Sequence, residues 1–434
     1  MRLVAIHQLS VATAVGALLS LVVTGEAQSY TFTKIADGSS PLPLGSFDPV
    51  DGNSLPLEGF GSPAINNNGT VAFWTVRDMM LVDYPHDRPD LNAYPQQFIM
   101  SGNGGLLTTI YDGFYYHYTN NVGWEPDIND EGTVAFKVFA NHPRINSFQS
   151  GIFAGNGGAI TTIYPFDRNY SDGNFSDASI PSDVGYPAIN NQGTVVFSSR
   201  NLFHNGNFIN TIVSTNPKLD YITIPSGNSN PTINDKGTVA FNRSFYDGED
   251  YGSPINPGIV TSSNGQFTTI ADNSSIFNYL GKPAINNQGT VAFSASLDTG
   301  VSGIFTSSGG KITTIVDSSG PFAEFGNVAI DNRGNLVFGA SLDVGGYGLF
   351  TGPDPVANKV IASGDMLFGY EVTGFLFRFR REGLNDAGQI AFSTSRGIYR
   401  ADPDPEPPKS IPEPTSVLGL FTVGVLALVK RRKN

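Results

Sequence analysis

The pattern Asn-x-x-Gly-x-x-Ala-Phe occurs seven times along this 434-residue chain, and it limits the possible folds more than any other feature. The first copy lies in Pro63-Ala64-Ile65-Asn66-Asn67-Asn68-Gly69-Thr70-Val71-Ala72-Phe73, and the others end at Phe136, Phe197, Phe241, Phe293, Phe338 and Phe392. The third copy has Val196 for Ala, and the sixth has Asp331 for Asn and Val337 for Ala. A unit repeated at roughly fifty-residue spacing buries its apolar face only by stacking on its neighbours.

Each part of the motif has a local reason. The pairs Asn66 and Gly69, Asn129 and Gly132, Asn190 and Gly193, Asn234 and Gly237, Asn286 and Gly289, Asp331 and Gly334, and Asn385 and Gly388 read as seven tight turns. Asn bonds its own backbone two residues on, and Gly supplies a positive φ. Seven equivalent positions, six Asn and Asp331, therefore point to seven equivalent turns rather than to seven active sites. A short strand precedes each turn (strand A, Pro-Ala-Ile), and Thr-Val-Ala-Phe makes a β-branched and aromatic strand after it (strand B). Strand C reads Gly-Ile-Phe, as at Gly303-Ile304-Phe305, and strand D reads Thr-Thr-Ile, as at Thr313-Thr314-Ile315.

Four short antiparallel strands per unit predict an all-β fold, a seven-bladed β-propeller. The seventh unit ends after strand C at Gly397-Ile398-Tyr399. Its missing strand D is found near the other end of the chain, in Phe32-Thr33-Lys34-Ile35-Ala36-Asp37, so the ring is expected to close by pairing the two ends. The organisation read from the sequence is residues 1–27 as a signal peptide, 28–401 as the propeller, 402–411 as a Pro/acidic linker and 412–434 as a sorting tail. Helix is expected only in the first and last of these.

Composition removes several chemistries. The chain has no Cys, which excludes disulfides, thiolate metal sites and a cysteine nucleophile. A net charge of −13 argues against a nucleic-acid partner, which needs a basic face. The 50 Gly and 28 Pro residues suit many turns and few long helices.

Both ends carry an address. Arg2, the apolar stretch Val11 to Val23, and small residues before a cut after Ala27 form a secretory signal pattern. At the other end, Ile411-Pro412-Glu413-Pro414 is followed by an apolar run from Val417 to Val429 and by Lys430-Arg431-Arg432-Lys433. The basic end stays cytoplasmic under the positive-inside rule, so the bulk of the chain lies outside the inner membrane. These three parts in order resemble the PEP-CTERM sorting signal of Gram-negative bacteria. The resemblance implies export to the cell surface or extracellular matrix and processing by an exosortase, with Pro412, Glu413 and Pro414 as the sorting motif. The tail is then a transient anchor; a permanent tail anchor fits the same residues. The internal units resemble the NxxGxxAF tandem-repeat proteins, a family defined by repeats and varied anchors, which implies architecture and address but no activity.

Binding is expected on the face bearing the variable B–C and D–A segments, because long loops on a rigid scaffold commonly carry function. Candidate ligand residues are Tyr115, Tyr116, Tyr118 and Trp124, joined by Asp127 on an innermost strand. The aromatic group reads either as a stacking platform for sugar rings or as a local core that covers its own blades. Exopolysaccharide or another envelope protein is the expected partner. No catalytic residue, cofactor or metal set is identified: the loop Asp residues lack calcium-loop spacing, and no Ser/His/Asp group stands out. Of the strand-A residues that precede the final apolar one, Asp127 alone is acidic. The reading is a binding or structural module; the alternative is a polysaccharide-processing enzyme with its site on the long-loop face near Asp127.

Overall fold

The computed structural model describes residues 28–41, 56–77, 96–113, 120–123, 125–142, 147–165, 181–202, 208–216, 222–224, 231–245, 255–273, 276–373 and 379–405. The expected signal peptide and sorting tail lie outside them. Every regular element among the described residues is a β-strand. Seven antiparallel sheets stand around a ring as the blades of a seven-bladed β-propeller, and Met366–Leu367 with Tyr370–Glu371 forms a separate two-stranded sheet. In blade 1, strand B is Val71–Arg77, strand C is Gln96–Gly102 and strand D is Thr108–Gly113.

Strand A differs from the sequence reading. In blades 1, 2, 3 and 5 it consists of two pieces, both paired to strand B. In blade 1 these are Leu57–Phe60 and Ala64–Ile65, separated by Gly61-Ser62-Pro63. Pro63 has no N–H to give to a ladder, so the strand breaks there. Blade 6 has Val328 at that position, and its strand A runs unbroken from Phe322 to Ile330.

The ring closes with strands from both ends of the chain. Tyr30–Asp37 pairs antiparallel with Gly397–Pro403, which in turn pairs with Ile390–Thr394. Blade 7 thus takes its outermost strand from the N-terminal region. Ile35 and Ala36 are buried against Leu57, Phe73, Phe98 and Met100 of blade 1.

The Ala-Phe step explains how blades stack. Successive strand residues face opposite sides of a sheet, so Ala looks toward the following blade and Phe toward the preceding one. Seven apolar clusters result, one at each junction. Phe136 packs with Ala72, Phe197 with Ala135, Phe241 with Val196 and Phe293 with Ala240. Phe338 packs with Ala292, Phe392 with Val337, and Phe73 with Ala391 across the closure. All seven Phe side chains are at most 1% exposed. A small residue on one blade leaves room for the ring of the next, which is why the two residue types recur together.

The turns that end strand A lie on one face, here the turn face, together with the C–D turns. The B–C and D–A segments lie on the other, the loop face. At each turn the motif Gly has a positive φ, from 73° at Gly193 to 87° at Gly334. Asn190 Oδ1 accepts from the N–H groups of Gln192 and Thr194, at 3.1 and 2.9 Å.

The same side chain also reaches the next blade. Asn66, Asn129, Asn190, Asn234 and Asn286 each donate Nδ2–H to the carbonyl of the following motif residue, and Asn385 donates to Asn66 across the closure. Asp331 has no amide to give. Its Oδ2 instead accepts from Asn335 Nδ2, where the first five copies carry Thr and the seventh carries Gln389.

A second set of bonds runs through the residue after each motif Asn. The backbone N–H of Asn67 donates to Asp130 Oδ1, Asp130 to Asn191, Asn191 to Asp235, Asp235 to Asn287, Asn287 to Asn332, Asn332 to Asp386, and Asp386 back to Asn67. All seven links are 2.7–2.9 Å long and the circle is complete. Its three carboxylates never stand next to one another, and Asn67, Asn191, Asn287 and Asn332 each donate Nδ2–H to a neighbouring one.

The broken link at Asp331 gives a direct test. Asp331→Asn combined with Asn335→Thr rebuilds the majority motif and is expected to raise unfolding free energy by roughly 0.5–1.5 kcal/mol, seen as a higher urea midpoint. Asp331→Asn alone should gain less, because Asn335 loses its carboxylate acceptor. A double variant no more stable than the natural protein would assign no value to that link.

Candidate functional site

The innermost strands bring a group of charged side chains into the central channel. Asp127 opens the inner piece of strand A in blade 2, Asp127–Ile128, and is 5% exposed. Its Oδ1 accepts from the N–H of Ile128, and its Oδ2 from the N–H of Ile189 in blade 3, at 2.9 and 2.8 Å. The innermost edge of a blade has no further strand to pair with, and this carboxylate supplies the missing acceptors.

The other members come from the chain that enters blade 7. Arg380 is 4% exposed and donates Nη1–H to the carbonyl of Pro126 in blade 2 at 2.7 Å. Its Nη2 lies 3.0 Å from Glu382 Oε2, and Nε donates to the same oxygen at 3.0 Å. Arg381 pairs with Glu382 Oε1 and reaches the carbonyl of Pro231 in blade 4. Blades 7 and 4 stand on opposite sides of a seven-membered ring, so Arg381 spans the channel. The carbonyl of Glu382 accepts from the N–H of Ile65 in blade 1 at 3.0 Å. One short segment therefore ties four of the seven inner edges, counting its own.

The two carboxyl groups are driven apart. Burial, reinforced by the Glu382 charge, pushes Asp127 up to about 7 against the opposing effect of Arg380 and its two N–H donors. Burial acts to raise Glu382 too, but Arg380 and Arg381 beside it overcome this and hold it below its ordinary value. The cluster thus pairs an acid that carries its proton near neutrality with a carboxylate that has given its proton up.

The structure places only part of the sequence-derived site. Tyr115, Tyr116, Tyr118 and Trp124 lie outside the described residues. Asp127 sits two residues before the Asn129 turn, toward the turn face of the channel rather than beneath the long loops. Its neighbours Arg380, Arg381 and Glu382 were missed by comparing one position across strand A. The signal was present as Arg378-Phe379-Arg380-Arg381-Glu382, four charges in five residues where every other unit carries at most one. Among the described residues, no three His, Asp or Glu side chains are grouped to hold a metal ion.

The fold and its terminal motif define a class: a β-propeller carried on a C-terminal sorting signal. Residues 410–433 match the PEP-CTERM protein-sorting motif, which marks an exported protein anchored at its C-terminus before processing by an exosortase. Residues 44–318 and 266–405 match DUF7453, a family of unknown function, and the chain belongs to that family.

No curated protein matches the chain. Among solved structures it is similar to the acylaminoacyl peptidase of Pyrococcus horikoshii, at 11% identity and a TM-score of 0.50, over 80% of this chain and 51% of that one. It spans about half the length of that peptidase. It is also similar to the β-propeller domain of the Trilobed protease from Pyrococcus furiosus, at 10% identity and a TM-score of 0.48, over 80% and 94% of the two chains. An oligogalacturonate lyase from Vibrio parahaemolyticus matches at 10% identity and a TM-score of 0.46, over 88% and 99%. At such identities these likenesses concern the fold alone.

Proposed function

We propose that this protein is a surface-associated binding or structural module of the cell envelope or exopolysaccharide matrix. One observation carries the reading: the charged groups of the channel are committed to holding blades together. Asp127 spends both oxygens on backbone N–H groups, and Arg380 and Arg381 bridge to carbonyls of blades 2 and 4. These channel side chains serve the ring itself, and recognition falls to the variable loops around it. The repeat pattern, which resembles that of the NxxGxxAF tandem-repeat proteins, supports the same reading, since those proteins pair repeats with varied surface anchors.

The test is binding of residues 28–411 to a glycan array and to exopolysaccharide prepared from the producing bacterium. Saturable retention, lost when Tyr115, Tyr116, Tyr118 and Trp124 are replaced together by Ala, is the expected result. Retention unchanged by that replacement would place the ligand elsewhere.

A second reading, a glycan-processing enzyme, is favoured by the divergence of Asp127 and Glu382. Two carboxyl groups pushed in opposite directions are what acid–base cleavage requires. It predicts new reducing ends or unsaturated sugar products on incubation with the polysaccharide, abolished by Asp127→Asn.

A further inference from the structure

We propose that the turn face, and not the loop face, is the membrane-proximal face of the anchored protein, so that the variable loops point away from the lipid. The inference rests on the C-terminal anchoring implied by the sorting motif. What it adds is orientation, and three features of the fold carry it.

The first is the direction of the last strand. In blade 7, Ile390 at the start of strand B pairs with Ala401, while Thr394 at the far end of strand B pairs with Gly397. The chain therefore leaves Gly397–Pro403 on the face that holds the Asn385 turn. Arg400 confirms the level, since its Nη1 donates to the carbonyl of Gly69, the turn glycine of blade 1, at 2.7 Å.

The second is the position of the other end. Tyr30 pairs with Pro403, so the closing strand begins on this same face. Asp404 N–H donates to the Ser29 carbonyl at 2.9 Å, Gln28 Nε2 donates to the Asp404 carbonyl at 2.9 Å, and Thr31 Oγ1 donates to Asp404 Oδ1 at 2.7 Å. The attachment points of both apolar stretches in the sequence, one ending at Val23 and the other beginning at Val417, are thus fastened together at one spot on the turn face.

The third is the composition of the tether. Eleven residues separate Pro405 from Val417, and Pro407, Pro408, Pro412 and Pro414 are among them. A chain of that length reaches about 40 Å at most, and Pro-rich sequences in general act as extended spacers. To present the loop face to the membrane it would have to turn back along a blade about 23 Å deep, a length set by a seven-residue strand. Continuing in the direction of the last strand requires no reversal.

The A–B turns of the turn face are four-residue units held by the circle of Asn and Asp bonds. Exposed charges there are mixed, with Lys236, Lys311 and Arg333 against Glu131 and Asp354. The lipid surface is therefore faced because of the tether, not through a basic patch.

The absence of native cysteine makes the test clean. Single-cysteine variants of the full chain, Lys236→Cys on the turn face, Val344→Cys on a B–C turn of the loop face and Ser410→Cys in the tether, are labelled with a donor fluorophore. Each is incorporated into phosphatidylethanolamine/phosphatidylglycerol vesicles carrying a headgroup acceptor. Energy transfer is expected to be highest for Ser410→Cys, at least twofold greater for Lys236→Cys than for Val344→Cys, and lowest for the last. If Ser410→Cys transfers strongly while Val344→Cys equals or exceeds Lys236→Cys, anchoring stands and the orientation is overturned. If Ser410→Cys shows no transfer, anchoring and orientation fall together.

Discussion

Removal of residues 29–37 is expected to abolish the cooperative melting of the ring, or to lower its midpoint by more than about 10 °C, since each kcal/mol lost shifts the midpoint of a large domain by a few degrees. The segment supplies the outermost strand of blade 7 through seven residue pairs, from Tyr30 with Pro403 to Asp37 with Gly397. It also fills the junction with blade 1, where Ile35 and Ala36 are 3% and 0% exposed among Leu57, Phe60, Phe73 and Leu107. Phe32 meets Phe392 edge-on at 6.2 Å. Truncating one such aliphatic side chain, as in Ile35→Ala, costs about 2–5 kcal/mol. Loss of the whole strand adds the ladder and exposes the edge of Gly397–Pro403 to other chains. A synthetic peptide spanning residues 29–37 should restore the transition when added in excess. Calorimetry checks both; a deleted protein that melts like the natural one would mean that the ring does not depend on this closure.

The second large effect is expected at the channel. Glu382→Ala leaves Arg380 and Arg381 buried without their shared carboxylate, and loss of one partner of a buried ion pair costs roughly 3–5 kcal/mol. Replacing the group together, Arg380→Met with Arg381→Met and Glu382→Leu, should recover most of this, because apolar residues need no charge partner. Urea denaturation separates the outcomes: if Glu382→Ala is as stable as the natural protein, the bridge across the channel is not structural.

The same cluster sets a pH dependence whose sign is fixed. Asp127 titrates near 7 in the fold, above its ordinary value of 3.8, so the folded state holds its proton more tightly. The resulting stability is fully present below 3.8 and is lost as pH rises through about 7, at no more than about 1.4 kcal/mol per pH unit. Glu382, held below its ordinary value of 4.5, works the other way and loses its contribution as pH falls below that range. Asp127→Asn should flatten the upper limb between pH 5 and 7.5 while leaving the acid limb in place.

Much of this molecule is legible in its sequence because each motif residue has a job that repeats. Gly69 and its equivalents mark turns, and Ala72 with Phe73 marks a strand whose two faces meet different neighbours. The count of seven and the unpaired strand Phe32–Asp37 lead to ring closure. What escaped was chemistry that acts between blades. The position after each motif Asn reads as a free turn residue, yet it is Asn or Asp in all seven copies. A single turn gives no reason for that restriction; the acceptor it provides is used by the blade before it. Arg380, Arg381 and Glu382 escaped for a similar reason, since their partners Pro126 and Pro231 are more than a hundred residues away and meet them only when the ring is complete. The two-piece strand A follows from a proline whose missing N–H matters only once strand B lies beside it.

The central claim is that the disc binds and displays rather than cleaves. The most direct measurement is an incubation of the purified protein with exopolysaccharide from its own producer, followed for both bound polymer and newly formed chain ends. Saturable binding, with chain ends no higher than in a control lacking protein and with Asp127→Asn binding as well as the natural protein, is the predicted result. Chain ends that accumulate with time and disappear in Asp127→Asn would contradict it and make the channel an active site.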